Sequence, residues 1–197
     1  MINQANKSTI PITAYNNEYN STVELVKSLT QSMATCTLVT VQSVDTANKV
    51  ISALPMVTQI DGSGKPVSQG IIYNVPYLPM QYGNSSIVMT PAVGDIGLCV
   101  FCHSDISTVK KTRKEALPAS YRKHNVSDGI YIGGILNINP TNYIEFIGDD
   151  INIKSTNLFI DSNIDTTGTI TNNGKNIGST HTHSGVQAGS GNTGAPN

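Results

Sequence analysis

Apolar positions along this chain keep two different periods. Val23, Val26, Leu29 and Met33, with Leu25, fall three or four residues apart, the spacing of one helix face. Ser21 and Glu24 read as a capping box ahead of that stripe, and the helix is expected to end near Ala34. The residues before it, 1 to about 16, are polar, contain Pro11 and show no period, so they read as an arm.

From residue 36 to about 135 the period changes to that of short strands. Residues 37–44 alternate, 49–60 form a second run broken at Pro55, and 70–75, 86–90 and 96–101 give three more. Asp61-Gly62-Ser63-Gly64-Lys65-Pro66 has hairpin chemistry, and Gly94-Asp95 turns the chain before the run at 96. Residues 107–125 interrupt the pattern with Lys110, Lys111, Arg113, Lys114, Arg122, Lys123 and His124, which read as a solvated loop or short helix. Residues 128–132 return to a strand. About five short strands in roughly one hundred residues predict a small closed barrel or sandwich.

Beyond Pro140 the apolar residues come in pairs two apart: Ile144 and Phe146, Ile151 and Ile153, Leu158 and Ile160. Each pair recurs after seven residues, and Ile164, Ile170 and Ile177 extend the series more loosely. Coiled-coil positions lie three or four apart, so the spacing of two marks strands instead. Asn, Asp, Ser and Thr between the pairs favour turns. A unit this thin cannot bury its own apolar face and needs neighbours. Three chains wound around one axis would supply them and would cover the strand edges. An intertwined trimeric β-prism or β-helix is therefore expected over about 141–183, with a single-chain β-solenoid as the competing arrangement.

Composition supports this picture. Charged residues make up 13 % of the 197 residues and the net charge is −1, which carries no electrostatic footprint of a nucleic-acid binder. No basic-then-apolar leader is visible at the start, and no apolar run approaches the ~20 residues that span a bilayer. Synthesis in a cytoplasm is expected. Cys36, Cys99 and Cys102 are odd in number, which speaks against a disulfide framework.

Few motifs carry chemistry. Cys99-Val100-Phe101-Cys102-His103 matches a haem-attachment spacing. Without a route to an oxidising compartment, the run 97–102 reads better as a strand core in which Cys acts as a small hydrophobe. A zinc site there would need a second ligand pair, for which only Cys36 and His124 are of the right type. The pair Asp149-Asp150 falls in a turn between units. No hydrolase or phosphate-loop motif is present, and no enzymatic activity is expected.

His181 and His183 remain. Residues i and i+2 of an extended chain share a face, so each chain presents two imidazoles at the point where the repeat ends. Gly185, Gly189, Gly191 and Gly194 follow and permit tight turns over an apex. Three chains would bring six imidazole nitrogens to the axis at the usual metal distance of ~2.1 Å. Structural zinc prefers four ligands, whereas an all-imidazole octahedron suits Fe(II), with Ni or Co as alternatives. Such a site has no open position and would be structural.

The stretch Gly178-Ser179-Thr180-His181-Thr182-His183-Ser184-Gly185-Val186-Gln187, with Gly189-Ser190-Gly191-Asn192-Thr193-Gly194, resembles the apex of the central membrane-piercing spike proteins of contractile-tailed bacteriophage baseplates. Residues 94–102, with Asp105-Ile106 and Ser127-Asp128-Gly129, look like the oligonucleotide/oligosaccharide-binding (OB) barrel of that family. Two departures stand out: His-Ser-Gly where the family pattern has His-Gly-Gly, and a Cys pair unusual for that barrel strand.

The resemblance implies a mainly β chain with an N-terminal arm and helix (1–35), an OB-fold barrel (36–140), a trimeric β-helix shaft (141–178) and a metal-binding apex (179–197). It implies one iron ion per homotrimer, held by His181 and His183 of each chain. It also implies a place at the tip of the virion tail baseplate, docking on the tail hub through the N-terminal domain, and penetration of the host outer membrane on contraction. No nucleic-acid partner is expected. The alternative is a receptor-binding or adhesion protein on a trimeric β-shaft. Against it, no aromatic residue follows His183.

Overall fold

Asn17 starts the first helix. Its backbone is extended (φ −151°, ψ 130°) and its side-chain oxygen accepts from Tyr19 N, capping α1 (Glu18–Gln31). The computed structural model describes residues 17–179 together with His181, Gly185 and Gly189, so the expected arm lies outside the described residues. The capping box expected at Ser21 and Glu24 does not form. Ser21 sits inside the helix with its hydroxyl on the Asn17 carbonyl, and Glu24 pairs with Lys27 at 2.7 Å. Asn17, four residues before Ser21, has the better cap geometry, and the helix also stops earlier, at Gln31. No residue of α1 is buried, and Leu25, Val26 and Leu29 all face solvent.

The chain divides into two units, one ending at Asn139 and the other starting at Pro140. In the first, β1 (Cys36–Asp45), β2 (Val50–Pro55), β3 (Gln59–Ile60), β4 (Pro66–Val67), β5 (Ile72–Pro76), β6 (Met80–Tyr82), β7 (Ser85–Ile87), β8 (Ile96–Phe101) and β9 (Gly129–Gly134) are joined by turns and by the short α2 (Ser107–Thr112). The main sheet runs β5-β2-β1-β8-β9, antiparallel throughout. β3 and β4 form the hairpin expected around residues 61–66, and β6 pairs with β7. The run expected at 86–90 is a strand only over Ser85–Ile87.

Alternation decides the core. Val39 and Val41 of β1, Ile51 and Ala53 of β2, Ile72 and Val75 of β5, Cys99 of β8 and Tyr131 of β9 all point to one side, with Tyr77. Each aliphatic side chain buried this way contributes on the order of 1.5–3 kcal/mol. The sheet curls until its two end strands meet. Tyr77 and Tyr131 form a parallel bridge, and Leu78 N donates to the Tyr131 carbonyl at 2.9 Å. The Tyr131 ring lies over Gly97, where any Cβ would collide with the ring and with the Gly133 carbonyl.

The second unit contains β10 (Tyr143–Ile147), β11 (Asp150–Lys154), β12 (Thr171–Asn172) and β13 (Lys175–Asn176). β10 and β11 form a hairpin that puts Ile144 opposite Ile153 and Phe146 opposite Ile151. The two-residue-spaced pairs of the sequence thus become one apolar face. Gly148 (φ 57°) takes the first corner of a two-residue turn, as in type II′, and Asp149 the second. Asn173 (φ 50°) and Gly174 (φ 75°) make the type I′ turn of the β12–β13 hairpin. Leu158 and Ile160, expected in a further strand, lie in irregular backbone. A strand needs a partner for its N–H and C=O groups, and no described segment of the same chain pairs with theirs. The fold is mainly β, a curled half-barrel sheet with an N-terminal helix.

Candidate functional site

The apical histidines were the residues singled out from the sequence. Ile170 and Ile177 flank the β12–β13 hairpin and are tied by Ile177 N to the Ile170 carbonyl at 2.8 Å. Gly178 follows, its N–H donating to Asn176 Oδ1 at 2.8 Å. Its carbonyl then receives two donors from His181, the backbone N–H at 3.2 Å and ring Nδ1 at 2.6 Å. A carbonyl only accepts, so Nδ1 is the donor in this contact and Nε2 is the nitrogen left for a ligand role. Metal-binding histidines take this form, with the non-ligating nitrogen anchored on a carbonyl or carboxylate. His181 therefore fits a metal-binding role through Nε2. His183 lies outside the described residues. Among the described residues, no three His, Cys, Asp or Glu side chains come together to hold a metal. His181 alone is an incomplete donor set.

A second polar cluster sits in the first unit, where the sequence suggested a solvated loop or short helix; the short helix is α2. Asp105 and Asp128 are buried, at 4 and 0 % exposure. Arg122 reaches both. Its Nε donates to Asp128 Oδ2 at 2.7 Å, and Nη2 donates to Asp128 Oδ1 at 2.8 Å, Asp105 Oδ1 at 2.7 Å and Ser107 Oγ at 2.8 Å. Ser120 Oγ donates to Asp105 Oδ2, and Ile106 N to Asp128 Oδ1. The Ser107 hydroxyl, ahead of the guanidinium, holds the Asp105 carboxyl down at about 2. The Arg122 hydrogen bond keeps Asp128 low, and the same contact raises Arg122. Solvation of the whole basic stretch is thus corrected for Arg122, because two buried carboxylates need a counter-charge. The signal in the sequence was the pair of short acidic motifs, Asp105-Ile106-Ser107 and Ser127-Asp128-Gly129. This cluster ties α2, the 107–125 loop and the start of β9 together, and its charges are paired within it, which is a structural arrangement.

The cysteine motif separates into unlike environments. Cys99 is fully buried in β8, where burial pushes its thiol up to about 11. That is the small-hydrophobe role expected of it. Cys102 is half-buried past the strand end, and burial raises its thiol too. His103 turns instead to His124, with Nδ1 and Nε2 2.9 Å apart and the rings edge to face.

Two family models match the chain. The GpV apex motif covers residues 179–197, and the phage protein Gp138 N-terminal domain covers residues 38–134. No curated protein matches the chain. The first match contains both apical histidines. The second spans the curled sheet from β1 to the end of β9. Together they support a phage baseplate spike protein, structural in character and located in the virion tail.

Proposed function

We propose that this chain forms a homotrimeric central spike that pierces the host outer membrane when the phage tail contracts. One observation carries the reading: every Ile, Leu and Phe between residues 141 and 179 is at least 40 % exposed on the single chain. A patch of this extent is not left to water on a working protein. Three chains around a common axis would turn the Ile144, Phe146, Ile151 and Ile153 faces inward and give a dry, stiff shaft. Strand-edge pairing between chains would add backbone partners that no described segment of the same chain gives residues 158–160.

The apex completes the reading. His181 Nε2, with His183, from each of three chains would hold one iron ion. The ion would cross-link the three chains at the apex. A five-stranded sheet whose ends meet at the Tyr77–Tyr131 parallel bridge supports an OB-type barrel for the first unit. It would seat the spike on the tail hub. Synthesis takes place in the host cytoplasm.

Light scattering and metal analysis of the purified chain test this. A trimer mass with about one iron per three chains supports the spike, as does loss of iron in His181→Ala/His183→Ala. A monomer, or metal at one per chain, refutes it.

A further inference from the structure

The first unit carries a concave cleft of about 530 Å³ between the β2 and β5 ends of the sheet and α2. Four cations line it: Lys49, Lys110, Lys111 and Arg113. Asn74 and Ser107 add polar atoms between them, and no Asp or Glu lines it. Among the described residues, the ion pairs are Lys27 with Glu24 and Arg122 with Asp105 and Asp128, so none of these four cations has a carboxylate within ion-pair distance. Four like charges around one hollow raise a local positive potential that attracts anionic groups.

The backbone holds them there. Lys49, Asn74 and Arg113 each have φ 56°, in the left-handed region that non-glycine residues rarely adopt. Three such residues, drawn from three separate segments, meet at this one cleft, and strained backbone collects at functional sites. Lys110 Nζ, donating to the Asn74 carbonyl at 3.4 Å, ties α2 to the β5 wall.

We propose that this cleft is a binding site for a carboxylate-rich protein segment, through which the first unit docks on an acidic stretch of a neighbouring baseplate protein. The inference rests on the spike reading for the identity of the neighbour. The chemistry of the site favours an acidic peptide over nucleic acid. The cleft's one aromatic, Tyr77, is 6 % exposed, whereas single-stranded nucleic acid is held by exposed rings on which bases stack. A hollow also suits side-chain carboxylates better than a plane of lipid headgroups.

The test is fluorescence anisotropy of the full chain with a labelled oligo-glutamate peptide. An oligodeoxynucleotide of equal charge and anionic phospholipid vesicles serve as the other arms. Binding of the peptide is expected, falling as salt is added. Lys49→Glu and Lys110→Glu/Arg113→Glu should each weaken it about tenfold or more, while Lys27→Glu and Lys65→Glu leave it unchanged. Absence of peptide binding, equal binding by the charge-reversed variants, or preference for the oligonucleotide or the vesicles each overturns the proposal. Trimer mass and iron content of the same samples report on the spike separately. If those fail while peptide binding behaves as expected, the spike falls and the cleft stands.

Discussion

Phe146 lies directly opposite Ile151 across the β10–β11 hairpin, and the two are 74 and 59 % exposed. Cross-strand neighbours of this kind interact through their side chains, yet on one chain the pair covers only itself.

Replacing Phe146 by Asp should therefore leave the first unit folded and abolish assembly. Each chain would lose a side chain worth ~1.5–3 kcal/mol on burial and would place a carboxylate in the dry centre. On the proposed assembly, sedimentation velocity should show a trimer for the unaltered chain and a monomer for the variant. Glu145→Gln, on the other face of β10, should leave the trimer intact.

Removing the Arg122 guanidinium strands two buried carboxylates. Arg122→Met is expected to lower the melting temperature by on the order of 10 °C, because an uncompensated buried charge is among the costlier defects. Arg122→Lys should recover only part of it, since a single ammonium cannot reproduce the fork that reaches Asp105, Asp128 and Ser107 together. Equal melting temperatures for all three proteins would refute the role given to the cluster.

Acid should find the same cluster. Asp105 titrates at about 2 in the folded chain against 3.8 for an ordinary carboxyl, and Asp128 is lowered as well. Between these values the unfolded chain binds the protons that the folded one refuses. The stabilisation is full above about pH 5 and is lost progressively as pH falls through about 2. Arg122, raised from its usual value, stays charged across that window and adds no slope. Thermal scans from pH 5 to 2 should show the decline, and Asp105→Asn should flatten it while lowering stability at pH 7.

Gly97→Ala should destabilise the curled sheet by about 3 kcal/mol, the upper part of the usual range for overpacking. The new Cβ meets backbone on one side, the Gly133 carbonyl, and the Tyr131 ring on the other. Urea denaturation would measure it. Gly62→Ala, with open space around its Cβ position, is the control and should change little.

Much of this was legible along the chain. The run at 96–101 is β8 residue for residue, and the pairs Ile144/Phe146 and Ile151/Ile153 do share one face. Side-chain alternation and turn residues act over a few positions, so a sequence shows them directly. The helix start was misplaced because Ser21-x-x-Glu24 satisfies the capping pattern as well as Asn17 does. Only the extended backbone at Asn17 distinguishes the true cap. Leu158 and Ile160 kept the strand period without forming a strand, because period marks a face but a strand needs a partner.

The sequence by itself determined the mainly β class, the apolar face of the second unit and the two-histidine motif at its end, since these are patterns of neighbours. Only the tertiary structure decided which charges matter. Arg122 and Lys110 look alike in a basic stretch, yet one is clasped by two buried carboxylates and the other lines an open cleft. That difference comes from segments far apart in the chain, residues 105 and 128 in one case and 49 and 74 in the other, brought together by the curl of the sheet. Coulombic partners are set by distance in space, and in this protein the fold alone supplies those distances.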